Sequence, residues 1–127
     1  MIKTKNFNPK TDPKLKCTCG HPNCDQRSVD QATLDQVQRV RDDLGRPMVI
    51  TSGGRCPHHP DEVAKRKPGD HQQQKAVDVA YKTELERNKL MVLAGRHGAT
   101  RVAAGKTFVH MAWTETSDRS VPTWTYG

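Results

Sequence analysis

Three side chains suited to holding a divalent ion stand out by type and setting: His71, Asp78 and His110. Asp78 falls within KAVDVAY, where Ala76, Asp78 and Ala80 alternate with Val77, Val79 and Tyr81 as on a strand. A carboxylate turned inward there needs a partner or a metal. His71 precedes Asp78 by seven residues in GDHQQQKAVDVAY, and a loop that folds back would bring its imidazole beside that acid. His110 sits mid-way along TFVHMAW, a second strand, where a histidine is unusual unless satisfied. Two imidazoles and one carboxylate make a three-ligand set for Zn²⁺ with a fourth position left open, which separates catalytic from structural zinc. The same residues also suit core histidines satisfied by an ion-paired aspartate, and spacing alone does not bring the three together.

The elements that must position them are legible around them. SVDQATLDQVQRVRDDL, residues 28–44, places Leu34, Val37, Val40 and Leu44 on one helical face. Ser28 with Gln31 suggests a capping box, and Gly45 with Pro47 a stop. PMVITSG reads as a short strand. GRCPHHPDEVAKRKPG, with three prolines, reads as a long irregular loop, of a kind that is usually functional or disordered. Thr83 with Glu86 opens a second helix over 84–97, with Leu90, Leu93 and Ala94 inward and Gly98 as its stop. TRVAA and TFVHMAW form a hairpin at Gly105-Lys106, ETSDRSVP is a loop, and TWTYG is a last strand. The pattern predicts an α+β fold: a small antiparallel sheet packed with two main helices. Residues 1–14 form a basic arm that pins one or two side chains onto a body spanning 15–127.

With 127 residues, 33% hydrophobic and 5% aromatic, the chain supports one modest core. No apolar run approaches bilayer-spanning length, so no transmembrane segment is expected. MIKTKNFNPKTDPKLK lacks the apolar centre of a secretory signal, which predicts synthesis in a cytoplasm and release by some other factor. The net charge of +7 favours an anionic partner, whether nucleic acid, anionic envelope or wall polymer. A nucleic-acid module is disfavoured because no aromatics interleave with the basic residues.

ITSGGRCPHHP, DHQQQKAVDV and FVHMAW, in that order, resemble the M15 zinc peptidases. These are D-Ala-D-Ala carboxypeptidases and phage L-alanyl-D-glutamate endopeptidases acting on peptidoglycan stem peptides, with the hedgehog/DD-peptidase fold. The similarity runs over residues 15–127. It implies that His71, Asp78 and His110 ligate Zn²⁺, that Arg55 holds a substrate carbonyl or carboxylate, and that Ser52 and His58 line the substrate site. It further implies a peptidoglycan substrate and a site of action in the periplasm or wall, reached after release from a host cytoplasm or carried in a virion beside other virion proteins.

Two departures stand out. Gly69 and Gln74 replace a serine and a glycine of the pattern, and Thr107 and Ala112 stand where relatives carry acids. Hydrolysis needs a carboxylate to move the proton. Glu115 is the favoured candidate, with Asp118, Glu62 and Asp70 as others. A zinc-containing, catalytically weak wall-binding protein is the competing expectation.

CTCGHPNC offers Cys17, Cys19, His21 and Cys24, enough for a small zinc knuckle, though the spacing fits no common finger. The resemblance instead treats Cys17 and Cys19 as packing residues, and that reading is preferred. Cys56 lies near the catalytic loop, and a disulfide to one of the other three is conceivable.

Overall fold

The alternation through residues 76–80 has the expected outcome: Val77 and Val79 turn into an apolar core, and Asp78 points the other way. The computed structural model describes residues 1–63, 65 and 68–114, and the backbone of 123–125. Among these, α1 spans Gln31–Leu44, β1 Ile50–Ser52, α2 Pro60–Val63, β2 Ala76–Ala80 and α3 Glu84–Arg96. The chain then continues through β3, Arg101–Ala104, β4, Phe108–Ala112, and β5, Thr123–Thr125. Strands β1, β2, β4 and β3 make an antiparallel sheet in that order, and β5 joins the β3 edge in parallel.

The α+β expectation holds, with α1 and α3 as the two main helices. Leu34, Val37 and Val40 of α1 meet Leu90, Leu93 and Ala94 of α3 in one cluster with the sheet's apolar face. The expected loop over 54–69 contains one added turn of helix, α2. No described helix is long and apolar enough to cross a membrane. The N-terminal arm is held down more firmly than an extended tail. Phe7 is buried in the core, and Gln38 of α1 accepts hydrogen bonds from Thr4 Oγ1 and the Asn6 backbone N–H.

The start of α1 corrects the capping expectation. Asp30, not Ser28, is the N-cap, and its carboxylate accepts from Thr33 N at 2.8 Å. The helix starts at Gln31, so Ser28 lies two residues before the cap, bridged to Lys16 with its hydroxyl donating to the Val29 carbonyl. Burial alone would raise the Asp30 carboxyl, but Lys75, 2.6 Å away, and the Thr33 amide outweigh it and lower the group below its ordinary value. The folded value is thus below the unfolded one, so the contribution is present above the ordinary aspartate range and fades as pH falls through the depressed value. Asp30→Ala is expected to cost about 1 kcal/mol near neutral pH. Denaturant titrations should show this loss and its narrowing in acid; an equal loss at every pH would refute the assignment.

Candidate metal centre

Antiparallel pairing of β2 with β4 sets Asp78 directly opposite His110, because Val77↔Met111 and Val79↔Val109 are matched on the apolar side. His71 arrives from the turn before β2. The three potential donor atoms converge: His110 Nδ1 lies 2.9 Å from Asp78 Oδ1, His71 Nε2 3.2 Å from the same oxygen, and the two ring nitrogens 3.1 Å apart. All three residues are buried.

Ligands about 2.0–2.1 Å from a tetrahedral zinc lie about 3.3 Å from one another, so this triangle needs little adjustment to accept the ion. The outer nitrogens support the fit. His71 Nδ1 donates to the Gly53 carbonyl at 2.7 Å, leaving Nε2 as the inward lone pair. His110 Nε2 donates to Asp70 Oδ2 at 3.0 Å, turning Nδ1 inward. Arg101 Nε in turn donates to the same Asp70 oxygen at 2.9 Å. Such outer partners fix tautomer and ring orientation at metal sites. Asp70, expected only as one of several candidate bases, has this orienting position, which no local sequence pattern records.

Electrostatics prepare the same arrangement. Burial would raise the Asp78 carboxyl, yet hydrogen bonds to His110 and His71 prevail and hold it well below the usual range. Burial lowers His71 against the pull of Asp78, favouring the neutral ring that a metal requires. Burial opposes charge on His110 too, but Asp70 and Asp78 prevail and raise it.

The remaining site candidates fall into distinct settings. Arg55 projects beside the centre, with its guanidinium 3.8 Å from Asp78 Oδ2 and 3.4 Å from Glu62 Oε2. Its Nε is a buried donor without a hydrogen-bond partner among the described residues. Glu62 is a weak candidate for a base: its side chain is fully buried and held by Lys65 Nζ at 2.8 Å, Arg55 and the Gly69 N–H. Ser52 is half-buried and paired in register with Asp78. His58 is exposed and stacks on His21, with centroids 4.2 Å apart. Thr107 occupies the exposed β3–β4 turn and Ala112 is buried at the end of β4. Glu115 and Asp118 lie outside the described residues. Gln74, standing where the pattern has glycine, adopts φ 67°, which explains why glycine suits that turn.

An α+β domain with two histidines and an aspartate converging in this manner has the layout of a metallopeptidase. A family model described as Peptidase M15 matches residues 7–112, most of the chain, and the protein belongs to that family of peptidases. No curated protein matches the sequence.

Two measurements check the centre. Asp70→Asn should weaken zinc affinity about 10–100-fold in chelator competition, by loosening His110; unchanged affinity would remove Asp70 from the assembly. Metal must also displace a proton from His110, whose value is raised above the ordinary imidazole. Affinity should therefore fall as pH drops through that raised value, with proton release on binding growing in the same direction. Calorimetry in buffers of differing ionisation enthalpy reads both.

Proposed function

We propose that the protein is a zinc-dependent peptidase that cleaves peptidoglycan stem peptides. The observation carrying this reading is the buried triangle of His71 Nε2, Asp78 Oδ1 and His110 Nδ1, each edge no longer than 3.2 Å, in a chain of the M15 family. When bound there, zinc supplies Lewis-acid polarisation of the scissile carbonyl and lowers the pKa of the attacking water.

The chain's own residues do the rest. Gly53 and Asp70 keep both imidazoles turned inward. Arg55 offers a permanent charge to a substrate carbonyl or carboxylate. Glu62 and the outer oxygen of Asp78 keep that guanidinium beside the centre. Glu115, which follows β4, is the assigned proton carrier. Ser52 and His58 are assigned to the substrate groove. A +7 chain suits an anionic bacterial envelope. The setting we assign is phage-encoded, acting in the periplasm or wall after release from the host cytoplasm, or carried in a virion with other virion proteins.

A second reading has its own support: a zinc-containing wall-binding protein with weak or no catalysis. Thr107 and Ala112 supply no acid at the positions where relatives have one, and the Glu62 carboxylate is already engaged by two cations.

Mass spectrometry of murein digested with purified protein separates the two. Stem-peptide cleavage abolished by a chelator and restored by Zn²⁺ is expected. Arg55→Ala should lower kcat/KM about 100-fold or more, and Arg55→Lys should recover part of it. Zinc uptake without product release would establish the second reading, and unaltered turnover in Glu115→Ala would remove Glu115 as the proton carrier.

A further inference from the structure

Outside the His/Asp centre, the fold gathers all four cysteines of the chain at one point. Cys17, Cys19 and Cys24 belong to the turn-rich segment before α1, and Cys56 follows Arg55 in the loop after β1. Their four sulfurs all lie within 4.8 Å of one another, and Cys19 Sγ is 3.5 Å from Cys56 Sγ. Four thiolates about 2.3 Å from a tetrahedral zinc sit about 3.8 Å apart, close to this spread. Cys17 and Cys56 are buried, while Cys19 and Cys24 are half-buried, so the cluster is closed from beneath. The Gln26 backbone N–H points at Cys24 Sγ at 3.4 Å, the type of contact that offsets charge on a ligating thiolate.

The expected membership of a knuckle is thereby corrected. His21 leaves the set, because its ring is stacked on His58, and Cys56 takes its place from 32 residues beyond Cys24. The reading of Cys17 and Cys19 as plain packing residues gives no reason for four thiols to converge.

We propose that Cys17, Cys19, Cys24 and Cys56 form a second metal site, a closed tetrathiolate centre for zinc or another soft divalent ion, with a structural role. Four protein ligands leave no open position, so this centre takes no part in hydrolysis. Binding releases the thiol protons to solvent and clamps the segment before α1 to the loop carrying Arg55. It does not depend on the peptidase reading, since it shares no ligand with His71, Asp78 and His110.

Metal analysis of protein purified under reducing conditions tests it. Two equivalents of zinc per chain are expected. Cys24→Ser should lose one and keep the other, and His71→Ala should do the converse. Cobalt-loaded His71→Ala protein should show an intense thiolate-to-cobalt charge-transfer band. Where Cys24→Ser fails to fold, titrating the wild type with an organomercurial should release one equivalent to a metallochromic indicator. A cysteine-independent metal content, a cobalt spectrum lacking the thiolate band, or an intact mass showing two disulfides would each overturn the second site. All three outcomes leave the His71-dependent equivalent and murein cleavage free to succeed or fail independently.

Discussion

A carboxylate buried in the middle of a five-stranded sheet is the constraint around which this protein is organised. Asp78 cannot remain charged there without compensation, since an unpaired buried charge costs several kcal/mol. Cross-strand register supplies His110, the preceding turn supplies His71, and the loop after β1 supplies Arg55. Each of these is itself anchored elsewhere: His110 through Asp70 to Arg101, His71 to a backbone carbonyl, Arg55 to Glu62. A one-residue slip of β2 against β4 would turn Asp78 toward the core, on the opposite face from His110, and put valines in its place. The apolar packing of Val77, Val79, Val109 and Met111 therefore sets the chemistry as firmly as the polar groups do.

That dependence explains which features could be read from the sequence. The helical face of α1 was legible because its apolar residues repeat at helical spacing, whereas α3 was marked by its Thr83 cap and the Leu90, Leu93 and Ala94 set while Leu85 and Val92 stay exposed. Asp78 and His110 were legible as polar interruptions in strands. Asp70 was harder, since its partners His110 and Arg101 are 40 and 31 residues away and no local pattern records such a contact. Gly53 was hidden altogether, because it acts through a carbonyl that every residue possesses. The cap of α1 went to Asp30 because the helix begins at Gln31 and the Asp30 carboxylate reaches the Thr33 amide. Cys56 was linked to the cysteine-rich segment only through a conceivable disulfide, whereas the fold gathers all four as free thiols.

The replaced residues of the family pattern also acquire physical meaning. Gln74 accepts a left-handed backbone where glycine would be unstrained, and its side chain is tied to the Ser28 carbonyl at 3.0 Å. Gly69, in place of serine, leaves room for Lys65 and Glu62, which a Cβ at that position would crowd. Glu62 thereby receives its second cation. Arg55 shares Glu62 with Lys65 and also faces Asp61 and Asp78.

Residues 53 to 56 are where these constraints meet. The Gly53 carbonyl holds His71, and a Cβ on Gly53 would strike the Leu15 backbone at 2.6 Å. Gly54 donates to Leu15 O and passes so near the Arg27 carbonyl that only glycine fits. The Arg55 N–H bonds to His71 O while its side chain faces Glu62 and Asp78, and Cys56 enters the thiol cluster. Four successive residues are thus each fixed, Gly53 and Gly54 against Leu15 and Gly53 and Arg55 by His71, in a loop that would otherwise sample many conformations. A guanidinium mounted there has already lost its backbone freedom before any substrate arrives, so less entropy remains to be lost on binding. In a chain with so lean a core, anchoring this one loop from several sides is how a small sheet keeps the His71, Asp78 and His110 cluster and Arg55 in fixed relation.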